Sequence, residues 1–323
     1  MSVKLSTKIV PSEKTGAETY MAALIAAAEE DKSIVCLDAD LARSTGTATF
    51  QKQYPERHFD IGIAEANMIG IASGMANRGL KPFVHSFAPF AVRRCLDQIY
   101  VSGAYSKQNI KIIGVAPGVL ATITGGTHMP FDDLADMISI PEMTVVEPSD
   151  NRQIQWLVPE LVNNEGMVYI RFDRTKLFDF YEEGSTFELG KAVQLRNGSD
   201  ATIIATGAIC LNQAMIAAKK LEEEGISVRV LDMFTVKPLD KEAVIAAARE
   251  TGAIVTVENA NETCGMGSLV AQVLAKDTYA PLESLGSNDR FGEVGDLPYL
   301  IKAFHLEAQD IVEAVHKVLK RKV

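Results

Sequence analysis

The chain is predicted to be an α/β protein made of two doubly wound domains, each a mostly parallel sheet covered by helices on both faces. Two observations predict it. Short Val- and Ile-rich runs of strand length alternate with helical patterns along the whole sequence, and the alternation weakens once, after Arg174, before it resumes. The 323 residues suffice for two domains, and a 47% hydrophobic content suits packed layers. The expected units are residues 1–185, including the start of a linker, and a smaller unit, 186–323.

Thr15-Gly16-Ala17-Glu18 opens the first helix as a capping box. Ser33 to Asp38 is a buried strand pattern, followed by a polar loop, Asp38 to Gly46, where ligand loops of open sheets lie. The stretch Asp60 to Ala76 begins as a short apolar run and becomes a helix. Met68, Ile71, Ala72 and Met75 fall on one face, Glu65 starts it, and Gly79 stops it. Lys81 to Ser86 is a strand that runs into Phe87-Ala88-Pro89-Phe90 and a helix to about Tyr105. Asn109 to Ala116 is a strand, and Pro117 to Pro130 is a loop holding Gly118, Gly125, Gly126 and His128. Strands at Glu142 to Glu147 and Gly166 to Arg171 flank a helix from about Asp150. Asp179 to Gly190, acidic and aromatic, reads as a linker. The second alternation has strands at Ala201 to Thr206, Ser227 to Leu231 and Ala253 to Glu258. Its helices are at Cys210 to Glu224, Asp240 to Glu250, Met266 to Lys276 and Ala308 to Lys322.

A net charge of −10, with no basic run before Lys320-Arg321-Lys322, argues against nucleic acid as the main partner. No apolar run approaches a membrane span. Met1 to Lys14 lacks an apolar signal core. Cys36, Cys95, Cys210 and Cys264 are too far apart for a metal knuckle or redox pair, and Cys36 reads as core. The compartment expected is the cytoplasm.

No phosphate-loop, dinucleotide or nucleophile-elbow motif is present. Glu65 by itself is a carboxylate at the positive end of a helix. His58 and His85 lie near strand patterns and read as structural groups, and His316 as a surface group. His128 sits in a Gly-rich loop, where function concentrates. Phe87 and Phe90 flank a strand-to-helix turn, as core or as a platform for a flat ring. Arg171 and Arg174 end a strand, as surface charges or as an anion clamp.

These residues together resemble the transketolase family. Gly62-Ile63-Ala64-Glu65-Ala66-Asn67-Met68, Ser86-Phe87-Ala88-Pro89-Phe90 with Asp97-Gln98-Ile99, and Asp133-Leu134-Ala135 with Pro141 and Thr144-Val145 resemble its pyrimidine-binding domain. Leu231 to Leu239 and Asp289-Arg290-Phe291-Gly292 resemble its C-terminal domain. The matches are colinear along nearly the whole chain.

The resemblance implies thiamine diphosphate chemistry, with residues 1–185 the pyrimidine-binding domain and 186–323 the C-terminal domain. Glu65 falls at the carboxylate that protonates or hydrogen-bonds N1′ of the aminopyrimidine, the interaction that leads to the C2 carbanion. Ile63, Phe87 and Phe90 fall at cofactor-contacting positions. His128 falls near the reacting centre, and Ser44 and Arg174 where relatives bind the substrate's anion. The family's Gly-Asp-Gly, which holds the diphosphate through Mg²⁺, is missing; Gly295-Asp296-Leu297 is the nearest run and lies in the other domain. The resemblance therefore implies the C-terminal subunit of a split transketolase, with no metal ligand of its own. A partner chain carries the diphosphate and Mg²⁺, in an assembly of two copies of each.

Departures bear on the substrate half. Ala116 and Thr124 stand where relatives carry a His and an Asp that bind and select hydroxylated sugar phosphates. A phosphate-binding Arg expected near Ala17 has no counterpart, Lys14 being the nearest cation. The expected function is transfer of a two-carbon ketol unit from a ketose, phosphorylated in relatives, to an aldose. The alternatives are a related thiamine-diphosphate reaction, of the 1-deoxyxylulose-5-phosphate synthase or 2-oxoacid dehydrogenase β-subunit kind, and a non-catalytic scaffold subunit.

Overall fold

In the computed structural model, which describes residues 1–322, the capping box forms as the sequence predicts. Thr15 closes β1 (Pro11–Thr15) and caps α1 (Gly16–Glu30). Glu18 N donates to Thr15 Oγ1 at 3.2 Å, and Thr15 N donates back to Glu18 Oε2 at 2.8 Å. The chain continues through β2 (Ile34–Asp38), α2 (Ala42–Thr45), α3 (Ala48–Gln53), β3 (His58–Asp60), α4 (Glu65–Asn77), β4 (Lys81–Phe87), α5 (Ala88–Val92) and α6 (Leu96–Gln98). β5 (Lys111–Val115), α7 (Asp133–Ser139), β6 (Thr144–Val146), α8 (Asn151–Asn163) and β7 (Val168–Phe172) follow. β8 (Lys176–Phe178) then returns to pair with β1. The second round is β9 (Val193–Arg196), β10 (Ala201–Ala205), α9 (Ala208–Glu223), β11 (Val228–Asp232), β12 (Thr235–Lys237), α10 (Lys241–Thr251), β13 (Ile254–Val257), α11 (Met266–Asp277), β14 (Leu282–Leu285), α12 (Leu297–Ala303) and α13 (Ala308–Leu319).

The first sheet has the order β12-β6-β7-β5-β4-β2-β3 and the second β14-β13-β10-β11-β9, parallel except for the edge strands β12 and β9. Both faces are covered. Tyr20 and Leu24 of α1 share one core with Leu157 and Leu161 of α8. Met68 and Ala72 of α4 share another with Val84 and Ile112. β2, β5 and β7 are buried at every position, which is why, apart from Asp38, Lys111 and Arg171, they read as near-continuous apolar runs rather than alternating ones.

The differences from the expected elements are local. On α4 the buried residues are Glu65, Met68, Ile69, Ala72 and Ser73, while Ile71 and Met75 are partly buried. The single helix expected from Phe87 to Tyr105 is broken into α5, a 3₁₀ turn, α6 and a π-helical stretch, Ile99–Tyr105. β12 leaves the second half of the chain to pair antiparallel with β6 of the first sheet. The 179–190 stretch is packed rather than loose. Phe180, Tyr181 and Phe187 are buried in it, and Tyr181 Oη donates to the buried Asp232 at 2.6 Å.

Candidate active site

The candidate residues come from loops and helix starts at the carboxyl ends of the parallel strands, where open α/β sheets present ligands. Ser44 lies in α2 after β2. Glu65 is the first residue of α4, which follows β3. Phe87 ends β4 and Phe90 sits in α5, whose first turn carries Pro89. His128 is on the loop after β5, and Arg174 follows β7.

These side chains form one continuous string of contacts. Glu65, with its side chain 4% exposed, accepts from Arg94 Nη1 at 2.7 Å. The Arg94 guanidinium carbon lies 3.8 Å from the centroid of Phe90. Phe90 meets His128 edge-on, with centroids 4.9 Å apart and an interplanar angle of 70°. Phe87 stands 6.2 Å from Phe90 and 6.1 Å from His128, both also edge-on. Arg174 lies 5.1 Å over Phe87, and its Nη1 donates to the Ser44 carbonyl at 3.0 Å. Ile63 stands outside the string, with 73% of its surface exposed. Residues separated by up to 130 positions thus line one continuous surface.

The His128 loop is held from the second domain. Val119 N donates to Asn259 Oδ1 at 2.9 Å, and Asn259 Nδ2 donates to the Pro117 carbonyl at 3.0 Å. Gly118, at φ +51°, leaves no room for a side chain, since a Cβ there would collide with Asn259 Oδ1. Ala116 and Thr122 also adopt positive φ, of 55° and 48°. Ala116 is buried, whereas Thr124 is exposed and donates its hydroxyl to the Ala121 carbonyl at 2.5 Å.

The sequence profile of the transketolase pyrimidine binding domain matches residues 13–178, and that of the transketolase C-terminal domain matches residues 190–311. The chain belongs to the transketolase family. It is 46% identical over 305 residues to the 6-deoxy-6-sulfo-D-fructose transketolase subunit SqwH of Clostridium sp., covering 94% of each chain. It is 37% identical to an apulose-4-phosphate transketolase subunit of Phocaeicola vulgatus, covering 94% of this chain and 97% of that one. Among solved structures, it resembles a split gene transketolase described as an inactive beta4 tetramer. That likeness has a TM-score of 0.89 and 40% identity, over 96% of this chain and 100% of the other. The chain is thus a split transketolase-type subunit, spanning nearly the full length of such relatives.

Within this transketolase-type fold, two polar groups that the sequence did not single out, Arg94 and Asn259, shape the site, and a third, Arg171, has a different role from either one expected. Arg94 bonds Glu65 and covers a face of Phe90; its signal was the Arg93-Arg94 pair in an otherwise apolar run. Asn259 clamps the Gly-rich loop. Arg171 is neither a surface charge nor an anion clamp: it is fully buried, donating to Asp133 Oδ1 at 2.7 Å, Glu147 Oε1 at 3.0 Å and the Asn259 carbonyl at 2.8 Å. Tyr169 Oη donates to the other Asp133 oxygen at 2.7 Å. The adjoining carboxylates push the Arg171 guanidinium up against the opposing effect of burial, so it stays charged.

The remaining candidates have structural surroundings. His58 Nε2 bonds Asp38 at 2.7 Å. His85 bonds Tyr20 Oη at 3.0 Å, and burial pushes its ring down to about 4. His316 is partly exposed and pairs with Glu224. Cys36 is buried. Burial, aided by the Glu65 charge, pushes the Cys95 thiol up to about 12, which makes it a poor nucleophile. Among the described residues no group of three His, Cys, Asp or Glu side chains is placed to hold a metal ion. Among the same residues no helix is long and apolar enough to cross a membrane.

Proposed function

We propose that this chain is the pyrimidine-side subunit of a thiamine-diphosphate-dependent transketolase. It would transfer a two-carbon ketol unit from a ketose to an aldose when joined to a partner chain that carries the diphosphate and Mg²⁺. The observation that carries this reading is the unbroken string from Glu65 through Arg94, Phe90, His128, Phe87 and Arg174 to Ser44. Its order is a carboxyl group with its guanidinium partner, then aromatic rings, then a second guanidinium beside Ser44.

The residues fit the cofactor's pyrimidine. Arg94 takes one Glu65 oxygen, and the other has no hydrogen-bond partner among the described residues, so it is available to a ring nitrogen. Phe87 and Phe90 are only partly buried and present apolar surface beside it, and the exposed Ile63 adds more. Bound thiamine diphosphate would supply a carbon nucleophile at its thiazolium ring, chemistry that no side chain here provides. Glu65 would hold the proton at N1′. Phe87, Phe90 and Ile63 would orient the ring and exclude water. His128, in edge contact with both phenylalanines, would reach the substrate's reacting end. Arg174 and Ser44 would receive the substrate's anionic end.

The relatives' names support an anion-bearing sugar, since one acts on a sulfosugar and another on a sugar phosphate. Pairing of two copies is supported by α4, where Gly70 and Gly74 are exposed with open space beside them, near exposed Tyr100, Val101 and Tyr105. Two copies of this chain with two of the partner is the assembly proposed.

One observation favours a second reading, a different thiamine-diphosphate reaction: Ala116 and Thr124 leave the substrate loop without an imidazole or carboxylate at those positions. The deciding experiment expresses the chain with its neighbouring open reading frames. It measures thiamine diphosphate binding with Mg²⁺, then screens ketose donors and aldehyde acceptors. Cofactor binding with ketol transfer is the expected result. Decarboxylation of 2-oxoacids without ketol transfer would establish the second reading, and absence of cofactor binding would establish a scaffold.

A further inference from the structure

A groove of about 630 Å³ opens beside the Arg174 end of the string, lined by Thr15, Glu18, Arg43, Ser44 and Arg174, with Ala17 at its wall. Its charges are of two kinds. The Glu18 carboxylate is already engaged, accepting from Thr15 N at 2.8 Å and from Thr15 Oγ1 at 2.9 Å as part of the helix cap. The two guanidinium groups are less committed. Arg174 gives Nη1 to the Ser44 carbonyl. Arg43 is exposed and makes no hydrogen bond or ion pair with any described residue. It directly precedes Ser44 in α2, a single turn closed by Gly46 at φ +90°. Ala17 packs toward Gly46 from α1 and brings no charge to the same wall.

We infer that Arg43 is a specificity-determining residue of this subunit: it supplies the second cation of a subsite for a tetrahedral oxyanion at the far end of the sugar, with Arg174 as the first. The inference rests on the proposed ketol-transfer reading for its sugar, but the anion subsite stands on the groove itself. In a chain of net charge −10, Arg43 lacks a carboxylate partner and lines the same groove as a second guanidinium, so an anion seated there would meet two cations. Arginine also suits the ligand, because its N–H fork bonds two oxygens of a phosphate ester or a sulfonate together. Placed beside Ser44, Arg43 fills the electrostatic role of the cation that resemblance to the family leads one to expect near Ala17.

The test uses the assembled complex with three ketose donors: D-fructose 6-phosphate, 6-deoxy-6-sulfo-D-fructose and uncharged L-erythrulose. Arg43→Ala is expected to lower kcat/KM for the preferred anionic donor relative to L-erythrulose by about 10-fold, the low end for a charge-assisted hydrogen bond because Arg43 is exposed. The drop should reside in KM, and Arg43→Lys should recover part of it. Which donor loses more tells a phosphate subsite from a sulfonate one. An unchanged ratio overturns the inference. In parallel, inorganic phosphate and methanesulfonate are titrated into the full chain by calorimetry or NMR. Anion binding that weakens in Arg43→Ala sustains the subsite even if the complex turns over no ketose, an outcome that would instead defeat the ketol-transfer reading. Anion binding equal in both proteins, or absent from both, overturns the subsite.

Discussion

Replacing Glu65 by alanine separates a catalytic carboxyl group from a merely structural one, because the structure sets a low bound on the structural cost. The Glu65 side chain is 4% exposed, but its partner Arg94 is 44% exposed. Deleting the carboxylate therefore leaves a guanidinium that water can solvate, not a buried orphan charge. Such a half-exposed pair contributes up to ~1 kcal/mol. Loss of a carboxylate from the first turn of α4 adds ~0.3–1 kcal/mol. The sum is at most about 2 kcal/mol, which for 323 residues, at ~2.1 cal/mol/K of unfolding entropy per residue, lowers Tm by up to roughly 3 °C. Turnover by the assembled complex, in contrast, should fall by at least ~10²-fold, since general acid–base groups contribute ~10²–10⁴-fold. Glu65→Gln, which keeps the shape, should lose nearly as much activity. The assays are thermal unfolding by circular dichroism and ketol-transfer rates at saturating cofactor. Undiminished turnover in Glu65→Ala would refute the assignment. A Tm drop far beyond that range would show that Glu65 is a folding determinant and that the rate loss says nothing of chemistry.

Three further outcomes follow from the same geometry. Arg171→Met should destabilise the chain by ~3–5 kcal/mol in urea unfolding, since Asp133 and Glu147 would be left buried without their cation; a loss under ~1 kcal/mol would refute the triad's importance. Asn259→Ala strands Val119 N–H and the Pro117 carbonyl, so it should cost about 2–4 kcal/mol and weaken cofactor binding by the complex through the displaced His128 loop; unaltered cofactor affinity would show that the clamp does not position the site. Burial pushes the Asp232 carboxyl up to about 7, against the pull of Tyr181, Gln153 and Ser149 donating to it. Its stabilisation is fully present below the unfolded value of ~3.9 and is lost as pH rises through about 7. Wild-type Tm should therefore fall more between about pH 5 and about pH 8 than that of Asp232→Asn, and equal slopes in a thermal scan series would contradict this.

The fold was legible in the sequence because its signals are local. The capping box at Thr15 and the near-continuous apolar runs of β2, β5 and β7 each report an environment that a single strand or turn can declare. β12 was not, since three residues of Thr235–Lys237 become a strand only when β6 offers an edge. The 179–190 stretch failed for a similar reason. Its acidic residues made it look like a tether, while Phe180, Tyr181 and Phe187 fill space that other elements create. Arg171 was misjudged because nothing near it in sequence shows the three acceptors that bury it; the nearest of them, Glu147, lies 24 positions away.

The candidate site shows the same division more sharply. Glu65, Phe87, Phe90, His128, Ser44 and Arg174 were found through several short motifs agreeing in order, and the folded chain brings all six into one string. Arg94 escaped, although it joins two of them, because its role depends on a contact across 29 positions. Its placement also bears on the partner. A guanidinium lying 3.8 Å over Phe90 and bonded to Glu65 satisfies a buried carboxylate and an aromatic face within this chain alone. Under the proposed reading, a bound pyrimidine has only the Glu65 oxygen that Arg94 leaves free, and Ile63, 73% exposed, covers nothing until something packs against it. The contacts that bury Ile63 and hold the rest of the cofactor must then come from outside this chain. Cofactor affinity should accordingly rise with partner concentration, and tight binding by the chain alone, with Mg²⁺ present, would break that argument at its base.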